Sequence, residues 1–459
     1  MLKQDVAQAV LAQALKTGGD FAEIFLEDRL NNNISMLSGR VESVNSRRLH
    51  GAGVRVFHGF QGVYVYTNDT SLEGLLSCAR RAASAVEAQD YYTAKDLHWT
   101  DGKNIHLIQE MPNQVQTARK VAQMKKAQAV LKEEKEIVQG SIGYMDSVQR
   151  VWIANSEGLF TGDTRVYTRM NVAAIASNGT ENQTGSCSPG GMQGFEIFQT
   201  KIDPEKLAQE AAQQARTMLH APLCPAGVMP VVIDNGFGGV IFHEACGHSL
   251  EATAVAIGNS EFCGKLGQKI AADCVTAIDD GTLPNEWGSL NIDDEGTPTT
   301  KLVLIENGIL KNYMIDKLNA RRMQMPITGS GRRQGYMFAP TSRMRNTYIA
   351  AGNDDNDEII ATMGDGLYAR KMGGGSVEPT TGKFNFSVAE GYLVKDGKIV
   401  HPVRGASLIG RGSEILLKID RVGKDMQMAQ GMCGSISGSI PTNVGQPMIR
   451  VSELTVGGR

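Results

Sequence analysis

The chain has 459 residues, of which 41% are hydrophobic and 21% are charged, and its formal net charge is −3. This length exceeds what a single hydrophobic core usually organises, so we expect two domains. The small net charge provides no electrostatic attraction to nucleic acid or to an anionic membrane, and we predict neither partner.

The first half of the sequence predicts a helix, several hairpins and a second, long helix. Apolar residues in 6–15 recur at helical spacing, and a strand-like run follows at 21–26. Turn-forming residues at 31–33 and 59–62 separate further β-type runs, which predicts antiparallel hairpins. Residues 115–138 are rich in Ala, Lys, Gln and Glu around a buried stripe, the pattern of a helix packed on a sheet.

Prolines and a glycine interrupt the sequence between residues 222 and 230. We place a domain boundary there, between an N-terminal α+β domain of residues 1–222 and a C-terminal domain of residues 223–459. Short β-type runs and glycines prevail in the second domain, so it is predicted to be mainly β around one helix. The predicted fold class is α+β, with an antiparallel sheet and packed helices in each domain.

The helix of the second domain carries the sequence His-Glu-Ala-Cys-Gly-His at 243–248. Neutral imidazoles such as His243 and His248 hold zinc, and a carboxylate beside them, Glu244, accepts a proton from the attacking water. Residues five apart point about 140° from each other on an ideal α-helix, too far for one ion. We therefore predict a π-type bulge, which Gly247 permits. A lone histidine is more often a hydrogen-bonded core residue, but this combination indicates a metal site.

Catalytic zinc usually takes three protein ligands, so one more is needed. Glu251 would lie about 80° from His243 on an undistorted helix, as a ligand, as a partner of an imidazole or as a solvated glutamate. Cys246 is crowded by its place within the motif. Cys433 lies among small residues at 431–435, and its alternative is an inert buried thiol. The residues alone leave this choice open.

Several sequence blocks resemble those of the TldD/PmbA family of zinc metalloproteases. Besides 243–248, they are Asp-Asp-Glu-Gly-Thr-Pro at 293–298, Gly-Arg-Arg-Gln at 331–334, Arg-Met-Arg-Asn-Thr at 343–347 and Gly-Met-Cys-Gly at 431–434. The blocks span nearly the whole chain in the family's order. The intact H-E-x-x-x-H motif is similar to the TldD branch, because the PmbA (TldE) branch lacks those residues.

The resemblance implies one zinc per chain, held by His243, His248 and Cys433, with Glu244 as general base. It also implies a two-domain subunit that degrades peptides together with a PmbA/TldE-like paralogue as a heterodimer. A homodimer is the alternative.

Four arginines lie in residues 331–348, a stretch that contains no acidic residue. They are Arg332, Arg333, Arg343 and Arg345. Because a guanidinium binds a carboxylate through two parallel N–H groups, we predict that they contact the substrate. A solvated or internally paired arginine face is the alternative.

We predict a zinc-dependent metallopeptidase that hydrolyses peptides or unfolded proteins with water activated by Glu244. One alternative is a non-catalytic peptide-binding or regulatory subunit, against which the intact Glu244 speaks. A second is a zinc hydrolase of a non-peptide amide. The dependence of the hydrolysis rate on peptide length would distinguish the peptidase from the non-peptide amide hydrolase.

The sequence has no feature of export or membrane insertion. No apolar run approaches the length of a membrane span, and residues 1–5 lead into a polar pattern rather than a signal peptide. The seven cysteines form no C-x-x-C pair, which is typical of a reducing compartment. These features predict a cytoplasmic location.

Overall fold

The N-terminal half of the chain is built on one sheet of long strands. A computed structural model describes residues 1–86, 88, 90–378 and 380–458, so residues 87, 89, 379 and 459 of the two predicted domains lie outside the description. The strands of this sheet are β1 (Phe21–Leu37), β2 (Arg40–His58), β3 (Gln61–Thr67), β4 (His98–Trp99), β5 (Ile137–Asn155), β6 (Leu159–Ser177), β7 (Asn182–Cys187) and β8 (Gly190–Gly191). Their order is β3-β2-β1-β5-β6-β4, and β7 and β8 also pair with β6.

Tight turns join the long strands into hairpins. Between β1 and β2, Ser38 and Gly39 have φ values of 46° and 89°, which lets the chain reverse within two residues. The pairing is antiparallel in the β2-β1-β5-β6 series, whereas β4 joins its neighbour β6 in parallel. The hairpin predicted around 59–62 is present between β2 and β3. The turn predicted at 31–33 is wrong, because these residues lie inside the continuous strand β1 and pair with β2.

In the described part of this half, the sheet is covered by the helices α1 (Gln4–Ala14), α2 (Leu72–Ala83), α3 (Thr117–Glu133), α4 (Ile197–Thr200) and α5 (Pro204–His220). The apolar faces of α1 and α2 form one core with β1 and β2, and those of α3 and α5 form another with β5 and β6. The helix predicted at 115–138 ends at Glu133, because Ile137 and Val138 belong to β5. No helix among the described residues is long and apolar enough to cross a membrane.

The described residues of the C-terminal half form two larger sheets and a short hairpin. Its strands are β9 (Gly227–Ile233), β10 (Ala277–Asp280), β11 (Lys301–Glu306), β12 (Ile309–Leu310), β13 (Gly331–Arg332), β14 (Thr341–Ser342), β15 (Asn346–Ile349), β16 (Gly366–Glu378), β17 (Lys383–Lys395), β18 (Lys398–Val403), β19 (Ser407–Arg411), β20 (Ile419–Val422), β21 (Gln427–Ser435), β22 (Gly438–Gln446) and β23 (Ile449–Gly457). The seven-stranded sheet has the order β16-β9-β23-β19-β17-β18, with β20 beside β23. The six-stranded sheet has the order β12-β11-β10-β15-β22-β21.

A segment with the motif at 243–248 lies between these two sheets. The helices of this half are α6 (Val240–Phe242), α7 (Ala252–Val255), α8 (Lys317–Met323), α9 (Asn356–Ala361) and α10 (Gly412–Lys418). Phe242, Ala245 and Leu250 are fully buried in one core that includes residues of both sheets. The architecture is α+β with several sheets and packed helices, as predicted.

The two halves of the chain are joined by buried ion pairs. Arg55 contacts Glu295 at 2.7 Å, and Arg333 contacts Glu23 at 2.7 Å. Burial raises the pKa of the Glu23 carboxyl, but Arg55 and Arg333 outweigh this effect and lower it below its usual value. Residue 222 lies between the end of α5 and the start of β9. The division into domains at this residue stays a prediction.

Candidate metal centre

The segment with the two histidines has a bulge of the predicted kind. After α6, the backbone forms a π-turn at His243–Gly247 and then a 3-10 turn at His248–Leu250. As a result, the two imidazole rings lie with their centroids 5.0 Å apart and their planes at 84°. The extra residue in the turn thus removes the angular separation that a regular helix would impose.

Gly247 is required for space rather than for backbone freedom. Its φ and ψ are −54° and −52°, which any residue adopts in a helix. A Cβ atom at this position would lie 2.3 Å from Sδ of Met344, closer than van der Waals contact allows. Gly247 thus permits the bulge because it has no Cβ, and the close approach of Met344 is the reason for glycine at this position.

Cys433 reaches the two histidines from β21, an edge strand of the six-stranded sheet. Its Sγ lies 3.3 Å from Nε2 of His243 and 3.3 Å from Nε2 of His248. Of the cysteines considered as third ligand, Cys246 has a different partner, since its Sγ lies 3.8 Å from the carbonyl oxygen of Gly412. The fold therefore brings together the three residues that the family resemblance implied.

The spacing and chemistry of this cluster fit a tetrahedral metal ion such as zinc. Ligand atoms at about 2.0 to 2.3 Å from such an ion lie about 3.5 Å from one another, and the three atoms here lie within 4.8 Å of one another. Burial raises the pKa of the Cys433 thiol, but the imidazoles of His243 and His248 outweigh burial and lower it to about 3. The cysteine is therefore a thiolate, the form that binds metals.

Glu251 orients one of the imidazoles. Its Oε2 lies 3.1 Å from Nδ1 of His248, while the opposite ring nitrogen, Nε2, faces Cys433. Burial lowers the pKa of His248, but the Glu251 carboxylate, followed by Cys433, outweighs burial and raises it well above its usual value. Of the alternatives for Glu251, the geometry matches the hydrogen-bonding partner of a ligand.

Glu244 lies at the side of the cluster. Its Oε2 is 3.8 Å from Nε2 of His248, and its side chain is 24% exposed. It does not belong to the group of three converging ligand atoms. The carboxylate is therefore near the candidate metal position and accessible to water.

Arg343 connects the hairpin of Cys433 to Glu251. Its guanidinium is fully buried and donates hydrogen bonds to the carbonyl oxygens of Cys433 at 2.5 Å and Gly438 at 3.0 Å, and to Oγ of Ser437 at 2.9 Å. Its Nε lies 3.8 Å from Oε1 of Glu251. Arg343 was predicted to contact substrate, but its side chain is occupied inside the protein, where it supports the hairpin of the candidate ligand Cys433.

Two other predicted arginines are also paired inside the protein. Nε of Arg345 lies 2.7 Å from Oδ2 of Asp279, and Nη2 of Arg333 lies 2.7 Å from Oε1 of Glu23. Both arginines are buried. Local sequence shows no acid near them because their partners come from distant parts of the chain.

Arg332 differs from the other three arginines. It is 2% exposed, and its Nη1 donates to the carbonyl oxygen of Met344 at 2.7 Å. It forms no ion pair with any residue that the structure describes. Its side chain lines a cavity of about 370 Å³.

Comparison with protein families covers almost the whole chain. Three models match in succession: PmbA/TldA metallopeptidase domain 1 at residues 22–86, the central domain at 110–219 and the C-terminal domain at 226–458. The chain belongs to the PmbA/TldD metallopeptidase family.

Individual relatives agree with this assignment. The chain is 34% identical to the metalloprotease TldD homolog of Haemophilus influenzae, over 96% of this chain and 93% of the relative. It is 32% identical to a metalloprotease of Methanothermobacter thermautotrophicus, over 96% of each protein. The names of the relatives indicate a metal-dependent protease.

Solved structures share the fold at lower identity. One is described as a putative modulator of a DNA gyrase from Thermotoga maritima, with a TM-score of 0.81, 21% identity and 99% of each chain covered. Another is TldE from Thermococcus kodakarensis, with a TM-score of 0.76, 18% identity, and coverage of 96% of this chain and 97% of that one. At these identities the likeness concerns the fold alone.

Proposed function

We propose that this TldD/PmbA family member is a zinc-dependent metallopeptidase that hydrolyses peptides or unfolded proteins. The observation that carries the proposal is the convergence of Nε2 of His243, Nε2 of His248 and Sγ of Cys433, with the Glu244 carboxylate beside them. Two nitrogens and one thiolate are a donor set of catalytic zinc, which leaves one coordination position free. The metalloprotease names of the relatives support the reaction class.

His243, His248 and Cys433 would hold the ion, and bound zinc would polarise the scissile carbonyl and acidify a water molecule. Glu244 accepts the proton of the attacking water and passes it to the leaving amine. Its partial exposure lets it meet both water and peptide. Glu251 keeps the His248 ring in the orientation that presents Nε2 to the cluster.

The test of this role for Glu244 is the variant Glu244→Gln. It keeps the three proposed ligands and removes the proton acceptor, so zinc content should stay at the wild-type level. Peptide turnover should fall by about 10²- to 10⁴-fold. Turnover at the wild-type rate in a zinc-loaded Glu244→Gln sample would exclude Glu244 as the base.

Two other functions predict different results in the same assay. If the chain is a non-catalytic peptide-binding or regulatory subunit, neither the wild type nor Glu244→Gln would hydrolyse the peptides that it binds. A zinc hydrolase of a non-peptide amide would cleave a short amide, and its rate would not rise with peptide length. We propose the peptidase, for which longer unfolded peptides are the better substrates.

We also propose that the chain works in the cytoplasm as a heterodimer with a PmbA/TldE-like paralogue. The fold that it shares with TldE of Thermococcus kodakarensis supports this pairing. Mixing the two purified proteins should give a particle of twice the mass in light scattering. A homodimer that does not exchange subunits with the paralogue would contradict the proposal.

A further inference from the structure

The cavity next to Arg332 extends to the hairpin that carries the candidate metal ligand Cys433. Its walls include residues of the N-terminal sheet on one side and Met432 and Ile440 on the other. Met432 precedes Cys433 in β21, and Ile440 is paired with Cys433 in the β21–β22 ladder. The cavity and the candidate metal centre therefore share the β21–β22 strand pair, in which Met432 is the neighbour of Cys433.

The wall of this cavity carries far more positive than negative charge. Its lining contains one carboxylate, Asp294, and five arginines: Arg29, Arg47, Arg165, Arg332 and Arg333. The Asp294 carboxylate is already occupied, since Oδ1 accepts from Nη1 of Arg165 at 2.6 Å and Oδ2 from the backbone N–H of Arg333 at 2.7 Å. Both oxygens of this carboxylate therefore already accept hydrogen bonds from residues other than Arg332.

Two of the five arginines have no acidic partner among the described residues. Arg29, Arg165 and Arg333 each form an ion pair with a carboxylate, at distances of 3.1, 2.6 and 2.7 Å. Arg332 and Arg47 form none, and Arg332 is almost completely buried while Arg47 is exposed. Burial lowers the pKa of the Arg332 guanidinium to about 10, so it is still charged at neutral pH.

An unpaired buried cation destabilises a protein unless a ligand compensates it. Arg332 therefore favours an anion in the cavity, and its planar N–H groups suit a carboxylate. A volume of about 370 Å³ is within the range of small-ligand sites, which is sufficient for a terminal residue of a peptide.

We propose that this cavity binds a carboxylate of the peptide substrate, with Arg332 as its main hydrogen-bond donor and Arg47 as a second cation at its edge. The inference rests on the proposed peptidase function and adds a determinant of substrate choice. The carboxylate is either the C-terminal group of the peptide or an acidic side chain. In both cases the carboxylate would be held against the strand pair that carries Cys433, so its position along the peptide would help to determine which bond is cleaved.

The experiment compares three peptides of one sequence without other acidic residues. The first ends in a free carboxylate, the second in an amide, and the third in an amide with one glutamate near the C-terminus. The wild type should cleave at least one carboxylate peptide with a lower KM than the neutral amide. A lower KM for the first peptide than for the neutral amide identifies the C-terminal carboxylate as the ligand. A lower KM for the third peptide identifies an acidic side chain.

The variant Arg332→Met should remove this preference. The KM for the carboxylate peptide should rise by about 10- to 100-fold, as expected for the loss of a hydrogen bond to a charged group. The kcat should change little, because the contact is present in both the bound substrate and the transition state. Arg47→Gln should raise the KM less, because this residue is exposed.

Arg48→Gln is the matched control. Arg48 follows Arg47 in β2, points to the opposite face of the sheet, and is bound by Asp28 at 2.7 Å outside the cavity. Its replacement should leave the preference between acid and amide unchanged. Equal KM values for all three peptides in the wild type would overturn the proposal, as would a preference that survives in Arg332→Met.

Two further measurements separate failure of the site from failure of the proposed function or of folding. Binding of the same peptides to Glu244→Gln, followed by fluorescence anisotropy, needs no turnover. If no peptide is cleaved but binding of the acid depends on Arg332, the carboxylate site stands and the peptidase function fails. Thermal unfolding of Arg332→Met should show no loss of stability, because an unpaired buried charge is removed. A lower Tm combined with an unchanged preference would assign Arg332 a structural role only and overturn the proposal.

Discussion

The contacts of Arg343 predict that a change at a residue that is not itself a proposed ligand weakens metal binding. In the variant Arg343→Lys, one ammonium replaces a guanidinium that reaches three acceptors on Cys433, Ser437 and Gly438. Lysine is a point donor and cannot span all three, so about two hydrogen bonds are lost, each contributing roughly 1.5 to 3 kcal/mol when the donor is charged. Groups that orient metal ligands in this way typically contribute about 10- to 100-fold to metal affinity, which is the weakening of zinc binding expected here.

The assay is competition for zinc between the protein and a chromophoric chelator, with folding checked by circular dichroism. Arg345→Lys is the control, because Arg345 is equally buried but binds Asp279 at 2.7 Å instead of the hairpin. Its replacement should lower stability, while the folded fraction should bind zinc as tightly as the wild type. Wild-type affinity in a folded Arg343→Lys variant would refute the reasoning, and so would an equal loss in both variants.

Three further predictions follow from single contacts. Cys433→Ser should lose zinc during dialysis, because a neutral hydroxyl replaces the thiolate, whereas Cys246→Ser should retain zinc like the wild type. Equal zinc retention in the two variants would show that Cys433 is not a ligand. Gly247→Ala should lower stability by about 1 to 3 kcal/mol in denaturant unfolding, because its Cβ would lie 2.3 Å from Met344 Sδ; unchanged stability would show that this side chain moves freely. Burial lowers the pKa of His106 to about 4, so the unfolded chain takes up its proton first as the pH falls below about 6.5. The stability that this residue contributes should be complete above that pH and decline by up to about 3 kcal/mol towards pH 4, and His106→Gln should remove that part of the decline.

Local sequence patterns were sufficient for the long helix of the first half and for the bulge between the two histidines, but not for the turn expected at 31–33, which lies inside β1. Periodicity placed a helix at 115–138, and the structure has it at Thr117–Glu133. The spacing of His243 and His248 required one extra residue in the turn, and a π-turn is present there. These features depend on a few neighbouring residues, so a local pattern is enough to reveal them.

The remaining features depend on contacts between distant residues. Cys433 lies 185 residues beyond His248, and the β21–β22 hairpin is what places its thiol at the cluster. Arg333 and its partner Glu23 are separated by 310 residues. No local sequence signal distinguishes a paired arginine such as Arg333 from Arg332, which has no carboxylate partner among the described residues. The difference is visible only in the packed structure.

The claim that the chain is a zinc-dependent peptidase is tested most directly by measuring metal content and peptide hydrolysis on the same sample. We expect about one zinc per chain carrying the motif. Removal of the metal by a chelator should abolish hydrolysis, and one equivalent of zinc should restore it. A folded sample that contains no transition metal and cleaves peptides at the full rate would contradict the claim.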